Sequence, residues 1–62
     1  MTITVDRFLQ LGDRLVRFAI PETGKVRVVE RQGLFPPLEW YVGRTEAFAL
    51  MARMFAEGWE TW

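Results

Sequence analysis

Residues 14–31 read RLVRFAIPETGKVRVVER. RLVRFAI and VRVVER are rich in β-branched and aromatic residues and are parted by PETG, the composition of two strands around a turn. Pro21 suits the approach to that turn, and Gly24 supplies the positive φ that closes a type I turn with a G1 bulge. The hairpin then places Ile20 across from Val26, Phe18 from Val28 and Val16 from Glu30. Val16, Phe18, Ile20, Val26 and Val28 share one face, which is a core face. The other face carries Leu15, Arg17, Ala19, Arg27, Val29 and Arg31.

Outward from the hairpin, the amino-terminal TITV alternates and reads as a short edge strand with Ile3 and Val5 on one side. Asp6 suits a helix N-cap, and RFLQL after it fits one helical turn stopped by Gly12. TITVDRFLQL reads equally as one longer strand. On the other side, FPP marks a bend, because consecutive prolines cannot sit in a central strand. LEWYV alternates Leu38, Trp40 and Val42 against Glu39 and Tyr41, a third strand closed by Gly43. Thr45 is placed to cap a final helix that carries Glu46 in its first turn, near the positive end of the helix dipole, and stops at Gly58. The expected architecture is α+β: a small antiparallel sheet of three or four strands with one carboxy-terminal helix packed on it, all in a single domain spanning 1–62.

LGDRLVRF, TGKVRVVE and LEWYVG resemble the strand and turn phrasing of small SH3-like barrels. That resemblance covers about the middle half of the chain and implies a closed barrel followed by a helix. The terminal segment is too long and too helix-prone to serve as a last strand, so the barrel stands as the alternative.

A 62-residue chain buries only about 60% of the surface it exposes when unfolded. Small scaffolds of this kind usually need a staple. Cys and His are absent, which removes disulfides and the usual zinc ligands. Self-association or a partner is the staple left. Half the residues are apolar, too many for a disordered segment. No apolar run nears the roughly 20 residues that span a bilayer, and MTITVDRF lacks the features of an export signal. No membrane partner and a cytoplasmic location are therefore expected.

On a wheel of about 100° per residue, Glu46, Arg53 and Glu57 cluster in one narrow stripe of the final helix. Phe48, Met51, Phe55 and Trp59 fall on another side, the face expected to cover the sheet. Leu50 and Met54 occupy one flank, and Ala49, Ala52 and Ala56 the other. So little polar surface points to a second contact. Ala49, Leu50, Ala52, Met54, Ala56, Trp59 and Trp62 are the candidate protein-interface residues, with a homodimer or a larger protein as the partner. Alanines at these positions permit close approach, Met adapts to irregular surfaces and Trp is enriched at interfaces. Trp59 has a first duty in closing the core.

Chemistry is hard to place here. Ser, Cys and His are absent and Lys25 is the single lysine, so a nucleophile beside a base is missing. The eight carboxylates read as caps, turns and solvated positions, and the glycines form no phosphate-cradling motif. The expectation is a protein that is not an enzyme, with no cofactor, no metal and no small-molecule substrate. Chains of this kind commonly serve as regulators, inhibitors or accessory subunits, and phage and other mobile elements encode many of them. The second reading is a dimeric nucleic-acid binder that presents Arg17, Arg27 and Arg31 from its hairpin, since a two-stranded ribbon fits the major groove. Eight basic residues balance eight acidic ones, which weighs against bulk attraction to phosphate.

Overall fold

A computed structural model describes residues 4–61. Four strands, a helix and a short fifth strand follow in chain order: β1 (Thr4–Leu11), β2 (Arg14–Pro21), β3 (Val26–Gln32), β4 (Leu38–Val42), α1 (Arg44–Ala56) and β5 (Glu60–Thr61). The sheet is antiparallel throughout, in the order β4-β3-β2-β1-β5. Its two ends do not meet, so the SH3-like barrel is corrected to an open sheet with α1 across one face.

The central hairpin forms as its composition demands. Val16 pairs with Glu30 and Phe18 with Val28, and Gly24 takes a φ of 95° in the turn. From Thr4 to Leu11 the chain is one strand, with no helical turn at RFLQL. The decisive feature is Leu11-Gly12-Asp13-Arg14, in which Leu11 pairs with Arg14 around a two-residue loop. Gly12 leads that loop at φ 61°, the position where two-residue hairpin turns call for glycine. Asp6, expected as an N-cap, instead pairs with Arg17 on the neighbouring strand. Ile3 lies outside the described residues.

Alternation decides which side chains enter the core. Leu9 of β1, Val16, Phe18 and Ile20 of β2, and Val26 and Val28 of β3 project to the face that α1 covers. Ala47, Met51 and Met54 close over them, with Leu50 and Val42 packed at the margin. No polar side-chain atom among the described residues is buried without a partner.

The helix is turned roughly a quarter turn from the phase expected, at about 100° per residue. Phe48 and Phe55 point outward, about half exposed, while Ala47 and Met54 point in. A helix apolar over most of its circumference carries no phase of its own, so the connections set it. Gly43 alone separates β4 from α1 and stands at the N-cap, in place of Thr45. Arg44 then ties the first turn to the sheet through a 2.6 Å hydrogen bond to the Pro21 carbonyl. Met54→Ala is therefore expected to cost about 2–5 kcal/mol, and Phe55→Ala roughly 1 kcal/mol or less, because half of its ring is already in water. Urea unfolding of the two variants measures the difference, and equal losses would contradict this helix phase.

At its other end α1 stops in a Schellman turn. The Gly58 N–H donates to Phe55 O at 3.1 Å, the Trp59 N–H to Met54 O at 3.1 Å, and Gly58 sits at φ 103°. The turn drops the Trp59 ring onto Met54 and the core. It also sends Glu60 and Thr61 back to the sheet, where they pair with Gln10 and Leu9 of β1. Arg14 covers the ring, its guanidinium 4.9 Å from the ring centre, while it donates to Glu30 at 2.6 and 3.1 Å.

Candidate interaction surface

One helix is too narrow to cover a five-stranded sheet, and both margins of the covered face stay open. On the β1 side, Phe48, Met51, Ala52 and Phe55 form one wall of a groove of about 440 Å³, with Arg7, Leu9 and Ile20 opposite. On the β4 side, Trp40 and Val42 lie beneath Glu46, Ala49, Leu50 and Arg53 around an open space of about 500 Å³. The β3–β4 connection extends this margin. It turns at Gly33, with the Phe35 N–H donating to Gln32 O at 3.1 Å, and Pro36 and Pro37 then straighten the chain into β4. Leu34 is 105% and Phe35 74% exposed, and Leu38 beside them is 63% exposed. Leu34, fully in the open beside a largely exposed phenylalanine, has no packing role among the described residues. With Trp40 at 36% exposure, the loop and β4 leave four large apolar side chains in water within one short stretch of the margin, the sort of surface that marks interaction sites.

The expected interface residues separate into three groups. Ala49, Ala52 and Ala56 are exposed on α1 and Leu50 is half-buried at the β4 margin. Met54 lies in the monomer core instead of on an outer flank, turned inward by the one-residue link at Gly43, and Trp59 is brought by the Schellman turn into the core-closing place that was its first expected duty. Trp62 lies outside the described residues. Leu34, Phe35, Leu38 and Trp40 were not among the expected residues, though LF immediately before PP signals their exposure, since prolines keep that segment from burying its neighbours in a strand.

The opposite face of the sheet holds the three arginines together as expected, in the register Arg17↔Val29, Ala19↔Arg27 and Leu15↔Arg31. Their hairpin is not a free ribbon, however. It is flanked by β1 and β4, and a sheet of four strands spaced about 4.8 Å apart is too broad for a groove that admits two. Carboxylates from the flanking strands engage two of the three: Arg17 pairs with Asp6 at 3.2 Å and Arg27 with Glu39 at 2.7 Å.

The hydrogen bond from Arg27 holds the Glu39 carboxyl below the usual carboxylate range, and Glu39 correspondingly raises Arg27. The stability linked to a lowered acid is present above its unfolded pKa and is lost as pH falls through the folded value. The pair is exposed, so this contribution is small. An NMR titration is expected to place the Glu39 midpoint below that of an ordinary glutamate, and Arg27→Gln to return it to the ordinary range. An unchanged midpoint in the variant would contradict the pairing.

Among the described residues no three His, Cys, Asp or Glu side chains stand close enough to hold a metal ion, and no helix is long and apolar enough to cross a membrane. Compared with models of protein families, with curated proteins and with solved structures, the chain matches none.

Proposed function

We propose that this small α+β domain is a non-catalytic protein–protein interaction module, acting as a homo-oligomer or as a small regulator that docks on a larger protein. The observation that carries this reading is the apolar margin formed by Leu34, Phe35, Leu38 and Trp40, which the fold leaves in water. A chain this short has little apolar surface to spare, and burying these side chains in a partner recovers about 1.5–3 kcal/mol for each one fully covered. Exposed Ala49 and half-buried Leu50 adjoin the margin and widen the contact. The nucleic-acid reading ranks second, because Asp6 and Glu39 neutralise two of its three arginines.

The test is chemical crosslinking in cells that express the chain, comparing wild type with a Leu34→Ser/Phe35→Ser variant. Both residues are exposed, so the variant keeps its fold and its circular dichroism. Protein adducts, to itself or to another chain, that vanish in the variant are the expected result. Adducts that persist in it, or their absence from both, would sink the reading.

A further inference from the structure

We propose that the partner of the apolar margin is a second copy of this chain, joined edge to edge through β4 to form one continuous ten-stranded sheet. This rests on the interaction-module reading and names the occupant of that same surface. β4 is an edge strand whose outer backbone groups meet no other strand among the described residues. Edges of this kind invite pairing unless charged side chains, prolines or bulges blunt them; Leu38–Val42 holds no lysine or proline, and its one charged residue, Glu39, is paired with Arg27 of the same sheet.

Side-chain pairing selects both the edge and the register. A two-fold axis at Trp40 sets Trp40 opposite its copy, Leu38 opposite Val42 and Glu39 opposite Tyr41. Apolar residues then meet on the helix-bearing face and no like charges oppose one another. Sliding the register by one pair so that the axis falls on Glu39 sets two carboxylates face to face. The open part of β1, Thr4–Arg7, is a poorer edge. Its self-pairing about the two charged residues opposes Asp6 with Asp6 or Arg7 with Arg7.

The helices carry the complementary charge. Ala49 and Leu50 lie beside the axis through Trp40, in the space that the Trp40 ring lines together with Glu46 and Arg53. Glu46 and Arg53 stand a heptad apart on that flank, one to each side of Ala49 and Leu50. Neither makes an ion pair within the chain among the described residues. In an antiparallel two-fold arrangement Glu46 of each copy faces Arg53 of the other, so the surface is complementary to itself, as a closed two-fold contact requires. The same register carries Leu34 and Phe35 past the end of the opposite β4, toward the start of the opposite α1.

The test is native mass spectrometry of purified chains. Wild type is expected to give dimers. Glu46→Arg and Arg53→Glu, each alone, replace both attractive pairs with repulsive ones and are expected to weaken self-association at least about fivefold. Mixed together they restore both pairs, so the mixed dimer of the two variants is expected to form about as well as wild type. Leu38→Lys, at an exposed position opposite Val42, is expected to weaken the dimer about tenfold or more without unfolding the chain. Wild type that stays monomeric at every concentration overturns the dimer, while the interaction-module reading is left to its crosslinking result. Wild-type dimers that survive the single charge reversals and Leu38→Lys also overturn it, because that contact lies elsewhere.

Discussion

Phe18→Ala is expected to leave the chain largely unfolded at room temperature. Phe18 is the largest fully buried side chain, at 0% exposure. It sits on the central strand β2, opposite Val28 of β3 and Arg7 of β1. Removing such a ring costs about 3–5 kcal/mol, part of it for the cavity left behind. A folded chain of this length holds only about 3–9 kcal/mol, at roughly 0.05–0.15 kcal/mol per residue. Neighbours have little freedom to collapse into the gap, because both flanking strands are held by pairing along their length. Loss of strand circular dichroism together with loss of dispersed methyl resonances is the expected outcome. A variant that keeps a cooperative transition with a melting temperature close to wild type would contradict this placement of the core.

Trp59→Ala is expected to be nearly as damaging, for a different reason. Its backbone N–H closes the Schellman turn on Met54 O, and its ring is 6% exposed beneath the Arg14 guanidinium. Substitution leaves the turn itself possible, since Gly58 still supplies the positive φ, but removes about 3–5 kcal/mol of burial and cavity energy. It also removes the cation–π contact, worth about 0.5–1 kcal/mol at a partly exposed site. Without the ring the chain after α1 has little to hold β5 against β1. Chemical denaturation should therefore report a large stability loss, and amide exchange at Gln10 should accelerate more than global unfolding accounts for. A loss of about 1 kcal/mol or less, with Gln10 still protected, would mean that Trp59 is not a core residue.

Much of the fold is legible where local pattern and tertiary placement agree. β-Branched alternation around PETG specifies the central hairpin down to its register, and LEWYV between FPP and Gly43 specifies β4 to the residue. Two features are not legible in that way. β1 reads as either strand or helical turn, because FLQL suits both, and only the Gly12-Asp13 loop decides between them. β5 is two residues long and owes its existence to the direction in which the Schellman turn releases the chain, which no composition encodes. The helix phase is lost for a related reason. When apolar residues surround most of a helix, periodicity has no origin, and the one-residue link at Gly43 supplies it.

The candidate surface follows the same division. Surplus apolar area was legible in the helix and places Ala49 and Leu50 beside the open margin. The exposure of Leu34, Phe35, Leu38 and Trp40, on which the proposed surface centres, depends on α1 leaving the β4 side of the sheet uncovered. The arginine face was legible as a face, but its neutralisation was not. Asp6 and Glu39 reach Arg17 and Arg27 only because β1 and β4 flank the hairpin, and strand order is invisible to a reading of two strands.

Sedimentation equilibrium of the wild-type chain over a wide concentration range tests the central claim, that the uncovered apolar margin serves self-association. The account predicts a mass that climbs from the 7.3 kDa of one chain toward twice that value as concentration rises. A mass that stays at 7.3 kDa throughout would contradict it.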